Sequence, residues 1–258
     1  MADGDYERGR GREIAALRSR LRALARARAV SSTPVFVLNG WAASPQAWDL
    51  CSFRTHVAHS RLFSYTEQLA GQPERALEVL SGPCVLVGWS MGGSTALRLA
   101  CRFPHRIAGL VLLAATPRMM ERKETGWRGL SPRRLEALRK GLELTKGEGF
   151  FGVPEGCPNP YLLDAPENLD AGLAYLLDTD LRADLEKTFG AAAAPFPVFL
   201  FQSEHDGIVR VENAAYLKTV FPHACLTYIP GSEHALPIKV PKEIDEAVDS
   251  CLAVAAKG

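Results

Sequence analysis

Residues 84–100 read CVLVGWSMGGSTALRLA, and the fold turns on how they are parsed. Cys84–Val87 is a short run of apolar residues, the pattern of a strand covered on both faces. Beyond it, residues 94–103 place Ala96, Leu97, Ala100 and Phe103 on or near one face of a helix. The junction, Gly88-Trp89-Ser90-Met91-Gly92, fits G-x-S-x-G. Alone that pattern is weak, because a glycine-rich strand–helix turn needs no chemistry. A strand running straight into it and a helix leaving it are what a nucleophile elbow requires. The turn is tight enough that side chains at its ends would strike neighbouring backbone, hence the glycines, and it lifts the Ser90 hydroxyl clear of the sheet.

Outward from this turn, strand-like and helix-like stretches alternate. Strands are predicted at Val35–Leu38, Arg61–Tyr65, Ile107–Ala114, Pro197–Phe201 and Cys225–Ile229. Helices are predicted at Pro73–Leu80, Val211–Val220 and Ile244–Val254, with a helical turn from Ser44-Pro45 to Trp48. Alternation with nearly all-apolar strands implies a mostly parallel sheet flanked by helices. Residues 116–196 break the rhythm, and eighty residues is too long for a plain loop. We expect a helical lid inserted in a domain spanning 31–258. Its clearest helix begins at Ser131-Pro132, with Leu135, Leu138 and Leu142 on one face and Arg133 and Lys140 on the other. Charge is polarised along it: residues 118–147 carry 9 Lys and Arg against 4 acids, and 148–178 carry 6 acids and no Lys or Arg.

The chain has 258 residues, 47% of them hydrophobic and 23% charged, with a formal net charge of +1. This composition fits one globular domain and excludes a wholly disordered, collagenous or coiled-coil chain. No apolar run approaches the ~18 residues of a membrane span, and no global field selects nucleic acid or an acidic membrane. The six cysteines, at 51, 84, 101, 157, 225 and 251, form no C-x-x-C and no zinc spacing with histidine, so no metal is expected. They read as thiols of a reducing cytoplasm. Residues 1–30 stand apart, with 8 Arg and 4 acids, and Ile14, Leu17, Leu21 and Leu24 recur at helical spacing. They lack the apolar core of a secretory signal. The pattern reads as a solvated amphipathic helix packed on the domain or a tail, with a partner or nucleic-acid arm as the alternative.

A serine hydroxyl needs a base. Of six histidines, His56, His59, His105 and His223 fall in surface-type stretches. His234 follows the last strand in Gly231-Ser232-Glu233-His234-Ala235, at the carboxyl edge of the sheet beside the elbow, and His205 is its rival past the preceding strand. The base needs an orienting carboxylate. Asp206 is the natural choice and Glu204 the alternative. The order Ser90, Asp206, His234 is that of the nucleophile-elbow hydrolases. An oxyanion hole needs two donors, expected from the backbone amides of Met91 and of Trp41 in Asn39-Gly40-Trp41. Trp41 can also wall an acyl pocket.

These residues resemble the α/β-hydrolase superfamily over 34–254. Within it the chain is similar to the pimeloyl-[acyl-carrier protein] methyl ester esterases of biotin synthesis. The resemblance rests on Gly88-Trp89-Ser90-Met91-Gly92-Gly93, on Asn39-Gly40-Trp41, and on Asp178-Thr179-Asp180-Leu181-Arg182. It departs at Asn39, where those esterases carry histidine. The resemblance implies an α/β-hydrolase fold with an inserted lid, a serine carboxylesterase without cofactor, and a methyl ester substrate borne by acyl-carrier protein. It implies substrate contacts from Trp41 and the lid, for which Phe150 and Phe151 are the nearest candidates. Carrier docking is expected at Arg133, Arg134, Arg139 and Lys140. The rival readings are a hydrolase of free small esters and a non-catalytic binding module on the same scaffold.

Overall fold

A computed structural model describes residues 32–57, 59–146, 157, 159–190 and 192–257. The Arg-rich segment 1–30 and the pair Phe150 and Phe151 lie outside the described residues. The elements run β1 (Val35–Leu38), a 3-10 turn (Pro45–Trp48), α1 (Phe53–His56), β2 (Ser60–Phe63), α2 (Tyr65–Leu69), α3 (Gln72–Val79), β3 (Cys84–Trp89), α4 (Met91–Arg102) and β4 (Ile107–Leu113). They continue with α5 (Pro132–Thr145), α6 (Pro166–Asp178), α7 (Arg182–Phe189), β5 (Val198–Ser203), α8 (Val211–Val220), β6 (Cys225–Ile229), α9 (Leu236–Lys239) and α10 (Pro241–Ala255).

The six strands form one sheet in the order β2-β1-β3-β4-β5-β6, every neighbouring pair parallel. The central strands β1, β3 and β4 are buried along their whole length, because helices cover both faces. Alternation sorts their side chains. Val35, Val37, Val85, Val87, Val111 and Leu113 belong to one core; Phe36, Leu38, Cys84, Leu86, Leu110 and Leu112 belong to the other. Each such side chain contributes roughly 1.5–3 kcal/mol when fully buried.

The long connection from β4 to β5 divides physically. Leu135 and Leu142 of α5 and Leu169 and Leu176 of α6 join the first core. Leu181, Leu185 and Phe189, from α7 and the residue before it, join the second, with Phe196, Leu217 and Phe221. The stretch expected as a single lid is thus part cover and part sheet-packing helix, since the apolar face of α7 is buried on the far side of the sheet. Arg118 at the start of the connection and Asp180 near its end clamp its base. Arg118 Nη1 meets Asp180 Oδ2 at 2.9 Å, and Arg182 donates to both carboxylate oxygens at 2.8 Å. Chiefly through the Arg182 hydrogen bonds, the Asp180 carboxyl is held down to about 2.

At the elbow the packing leaves no room for side chains. A Cβ on Gly88 would lie 2.5 Å from the Gly92 carbonyl oxygen, and a Cβ on Gly92 would lie 2.0 Å from the Leu38 carbonyl oxygen. In both cases the obstacle is backbone, which cannot swing aside. Gly92→Ala should therefore cost at least the ~1–3 kcal/mol typical of overpacking. The check is thermal unfolding, where each kcal/mol moves Tm by roughly 2–4 °C in a chain of this size. An unchanged Tm would mean that β1 and α4 are not in this contact.

Candidate active site

Ser90 joins the end of β3 to the start of α4, with φ 56° and ψ −118°. Such a conformation costs a non-glycine residue on the order of 1–3 kcal/mol and persists only where the surroundings enforce it. The enforcement is local. Ser90 N–H donates to the Leu113 carbonyl at 2.9 Å, and the Ser90 carbonyl accepts from Gly93 and Ser94 at 2.9 and 3.2 Å. The hydroxyl then stands at the carboxyl edge of the sheet.

His234 Nε2 lies 2.9 Å from Ser90 Oγ, and His234 Nδ1 lies 2.8 Å from Asp206 Oδ2. All three residues are buried. The other Asp206 oxygen accepts the Ile208 and Val209 amides at 2.7 and 3.1 Å, so this carboxylate takes three donors. Nδ1–H therefore faces Asp206, and Nε2 faces Ser90 Oγ as the acceptor of its proton. The rivals sit elsewhere: Glu204 and His205 are exposed, although the same loop carries them. His59, His105 and His223 are exposed too. Burial pushes the Cys84 and Cys251 thiols up to about 12, which removes them as thiolate nucleophiles near neutral pH. Among the described residues no group of three His, Cys, Asp or Glu side chains could hold a metal.

The loop after β1 is pressed onto this site. A Cβ on Gly40 would touch Trp89 at 3.4 Å and Ser90 Cβ at 3.5 Å. Asn39 is wholly buried and staples the loop. Its Oδ1 accepts Trp48 Nε1–H at 3.0 Å, and its Nδ2 donates to the Ala43 carbonyl at 2.9 Å. Met91 is the first residue of α4, so its N–H has no partner in the helix. The insertion holds the same loop from outside. Ser44 N–H donates to Pro160 O at 2.8 Å, Leu162 N–H to Ala42 O at 2.7 Å, and Trp41 Nε1–H to Leu169 O at 3.0 Å. Gly172 lets α6 come this close, since a Cβ there would strike Trp41 Cδ1 at 2.4 Å.

Above Ser90 lies a cavity of about 420 Å³, measured out to its open mouth. Its walls are Gly40, Trp41, Trp89, Met119, Leu130, Leu135, Leu138, Tyr161, Leu176 and Ile208, with Ser90 and His234 at the base. Burial raises the Tyr161 phenol well above its ordinary value. No local pattern in the sequence marks Tyr161, Met119 or Ile208 as wall residues. The four basic residues of α5 differ from one another. Arg133 and Arg134 are exposed, and among the described residues they form no ion pair. Lys140 pairs with Glu136 at 2.8 Å in solvent. Arg139 is 14% exposed and bonded to Asp170 at 2.6 Å and to Glu143, which ties α5 to α6.

The fold and this constellation define a class: the chain has the α/β-hydrolase fold. Residues 77–154 match the model of the alpha/beta hydrolase fold family. An esterase from Exiguobacterium antarcticum shares the architecture with a TM-score of 0.65 at 19% identity, over 86% of this chain and 92% of that one. Within the class, the sequence is similar to pimeloyl-[acyl-carrier protein] methyl ester esterases. That of Nitrosospira multiformis is 33% identical over 178 residues, 62% of this chain and 65% of its own length. That of Nitrosomonas europaea is 26% identical over 249 residues, 83% of this chain and 93% of its own. Among the described residues no helix is long and apolar enough to cross a membrane.

The loops after β5 and β6 give a paired prediction. His234→Ala should abolish ester hydrolysis, and Asp206→Asn should lower it by roughly 10⁴-fold, as a wrong histidine tautomer does in triad enzymes. His205→Ala and Glu204→Gln, both exposed, should leave most of it. Steady-state rates of the four variants decide, and a reversed ranking in either pair would reassign the base or the acid.

Proposed function

We propose that the chain is a serine carboxylesterase that hydrolyses the methyl ester of a pimeloyl group borne on acyl-carrier protein. The observation that carries the chemistry is the continuous chain Ser90 Oγ, His234, Asp206, at 2.9 and 2.8 Å under an apolar cavity. The substrate comes from the names of the relatives.

In this reading Ser90 Oγ attacks the ester carbonyl carbon as its proton passes to His234 Nε2. Asp206, desolvated and bonded to Nδ1, stabilises the imidazolium and holds the ring in place. Negative charge grows on the former carbonyl oxygen. The Met91 amide, at the N-terminus of α4, and the Trp41 amide receive it; one such donor is worth about 2.7–4 kcal/mol. The intermediate collapses, His234 returns the proton to the leaving oxygen, and methanol departs. Water, deprotonated by His234, then attacks the acyl-serine carbonyl, restores Ser90 and releases the carboxylate. No step calls for a metal or an organic cofactor. The apolar walls suit a methylene chain and disfavour an unpaired carboxylate, so the uncapped product is less well held than the ester.

Carrier docking is assigned to Arg133 and Arg134 at the outer face of α5. Arg134 leans over the acid loop, its Nη2 within 3.4 Å of where a Cβ on Gly207 would sit. Acyl-carrier proteins are strongly acidic, and attraction between exposed charges is screened over about 8 Å at physiological salt.

Two measurements test this reading. Ser90→Ala should lower turnover by roughly 10⁶-fold, and retention of a tenth of the activity would remove Ser90 as nucleophile. kcat/KM on the carrier-linked methyl ester should fall as salt rises, mainly through slower association, while a small free methyl ester should respond little. Reversal of Arg133 and Arg134 to Glu should reproduce the loss at low salt for the carrier-linked substrate alone. Equal responses of the two substrates would favour an esterase of free small esters.

A further inference from the structure

We infer that Trp89, the residue before the nucleophile, is a positioning residue for the catalytic base. Its indole N–H donates to the main-chain carbonyl of His234 at 2.8 Å, in a fully buried contact 145 residues apart in sequence. The inference rests on the triad reading above and adds to it a requirement on a residue that takes no part in proton transfer.

His234 is carried by a loop. It follows β6 and includes Gly231 at φ 112°, so no regular element holds it. Besides the His234–Asp206 bond itself, Ser203 Oγ–H donates to the Glu233 carbonyl at 2.5 Å and His205 N–H to the Gly231 carbonyl at 3.0 Å, both from the acid's strand and loop. Both fix His234 relative to Asp206. Trp89 fixes it relative to Ser90. Indole is a donor with no acceptor, and Trp89 is 1% exposed, so its N–H has to be satisfied inside the protein. It is satisfied on the backbone of the base. Trp89 and Ser90 are adjacent in the chain, so the same short piece of backbone holds both the attacking oxygen and the peptide of its proton acceptor. The indole also packs on the imidazole, with ring centroids 5.8 Å apart, and on Tyr161 at 5.9 Å, which limits the swing of the imidazole. A misplacement of ~1 Å at such a site can cost about 10²-fold in rate.

Two roles must be separated, because Trp89 also walls the cavity. The clean variant is benzothienylalanine at position 89, introduced by nonsense suppression. It keeps the bicyclic shape and exchanges the N–H for sulfur. Trp89→Phe, which also lacks the donor, is the second variant should the first fold poorly. Each is measured well below its own Tm, for kcat and KM on a free methyl ester and for the rate of inactivation by a small serine-directed phosphonate. The expected result is a kcat lower by about 10–100-fold, a KM within about twofold for the isostere, and phosphonate inactivation slowed in step with kcat. A lowered Tm with unchanged kcat would make the bond merely structural and overturn the inference. So would a raised KM with unchanged kcat, which is the signature of a wall. Ser90→Ala run alongside separates the two levels. If it keeps activity, the triad reading fails; if it is inactive while the isostere works at the full rate, only the role of Trp89 falls.

Discussion

The Cα of Gly92 and the carbonyl oxygen of Leu38 approach so closely that no side chain fits between them, and the site is assembled from that contact. It sets the N-terminus of α4 against the end of β1. The first free amide of the helix and the Asn39-Gly40-Trp41 loop thereby meet beside Ser90. The same compression forces the turn at Ser90 into backbone space that an L residue ordinarily avoids. Strain of this kind is sustained by the two cores on either face of the sheet, where β1, β3 and β4 contribute alternate side chains to each. A surface turn of the same sequence would relax.

Around this contact three chain segments, distant in sequence, are fixed relative to one another by buried hydrogen bonds rather than by bulk packing alone. The β1 loop is closed from within by Asn39 and gripped from without by Pro160, Leu162 and Leu169 of the insertion. The insertion is therefore part of the frame that aims Trp41 as well as a roof over the cavity. Low local dielectric strengthens these bonds and makes each expensive to lose. The same burial makes the Asp206–His234 interaction effective at holding charge during turnover. Outside, at the rim, charges such as Arg133 and Arg134 lie in solvent, where under the proposed docking they would act on encounter more than on affinity.

The fold and the three residues that meet in the site, Ser90, His234 and Asp206, are legible because both rest on short-range patterns. A strand–turn–helix with glycines at fixed offsets names Ser90, and loops after apolar strands name Asp206 and His234. The choice of Asp206 over Glu204 and of His234 over His205 rested on position at strand ends, and in the structure the unchosen pair is exposed while the chosen pair is buried. What was not legible depends on contacts across the chain. Nothing near Trp89 announces its bond to a carbonyl 145 residues away, and nothing near Tyr161 announces its place against Trp89. Arg139 is one of four basic residues on a single helix, and only its partners Asp170 and Glu143, one of them on α6, mark it as a helix tie. Residues 116–196 read as one excursion because a helix that covers the site and one that packs on the far side of the sheet have the same amphipathic period.

The central claim is that Ser90 is the nucleophile and that the surrounding frame alone activates it. Its most direct test is the site of attachment of a fluorophosphonate, located by peptide mass mapping of the full chain. The account predicts a single label per chain, on the peptide containing Ser90 and on that serine, and no label on the Ser90→Ala variant. A label on any other residue, or an enzyme that turns over ester while Ser90 stays unmodified, would contradict it.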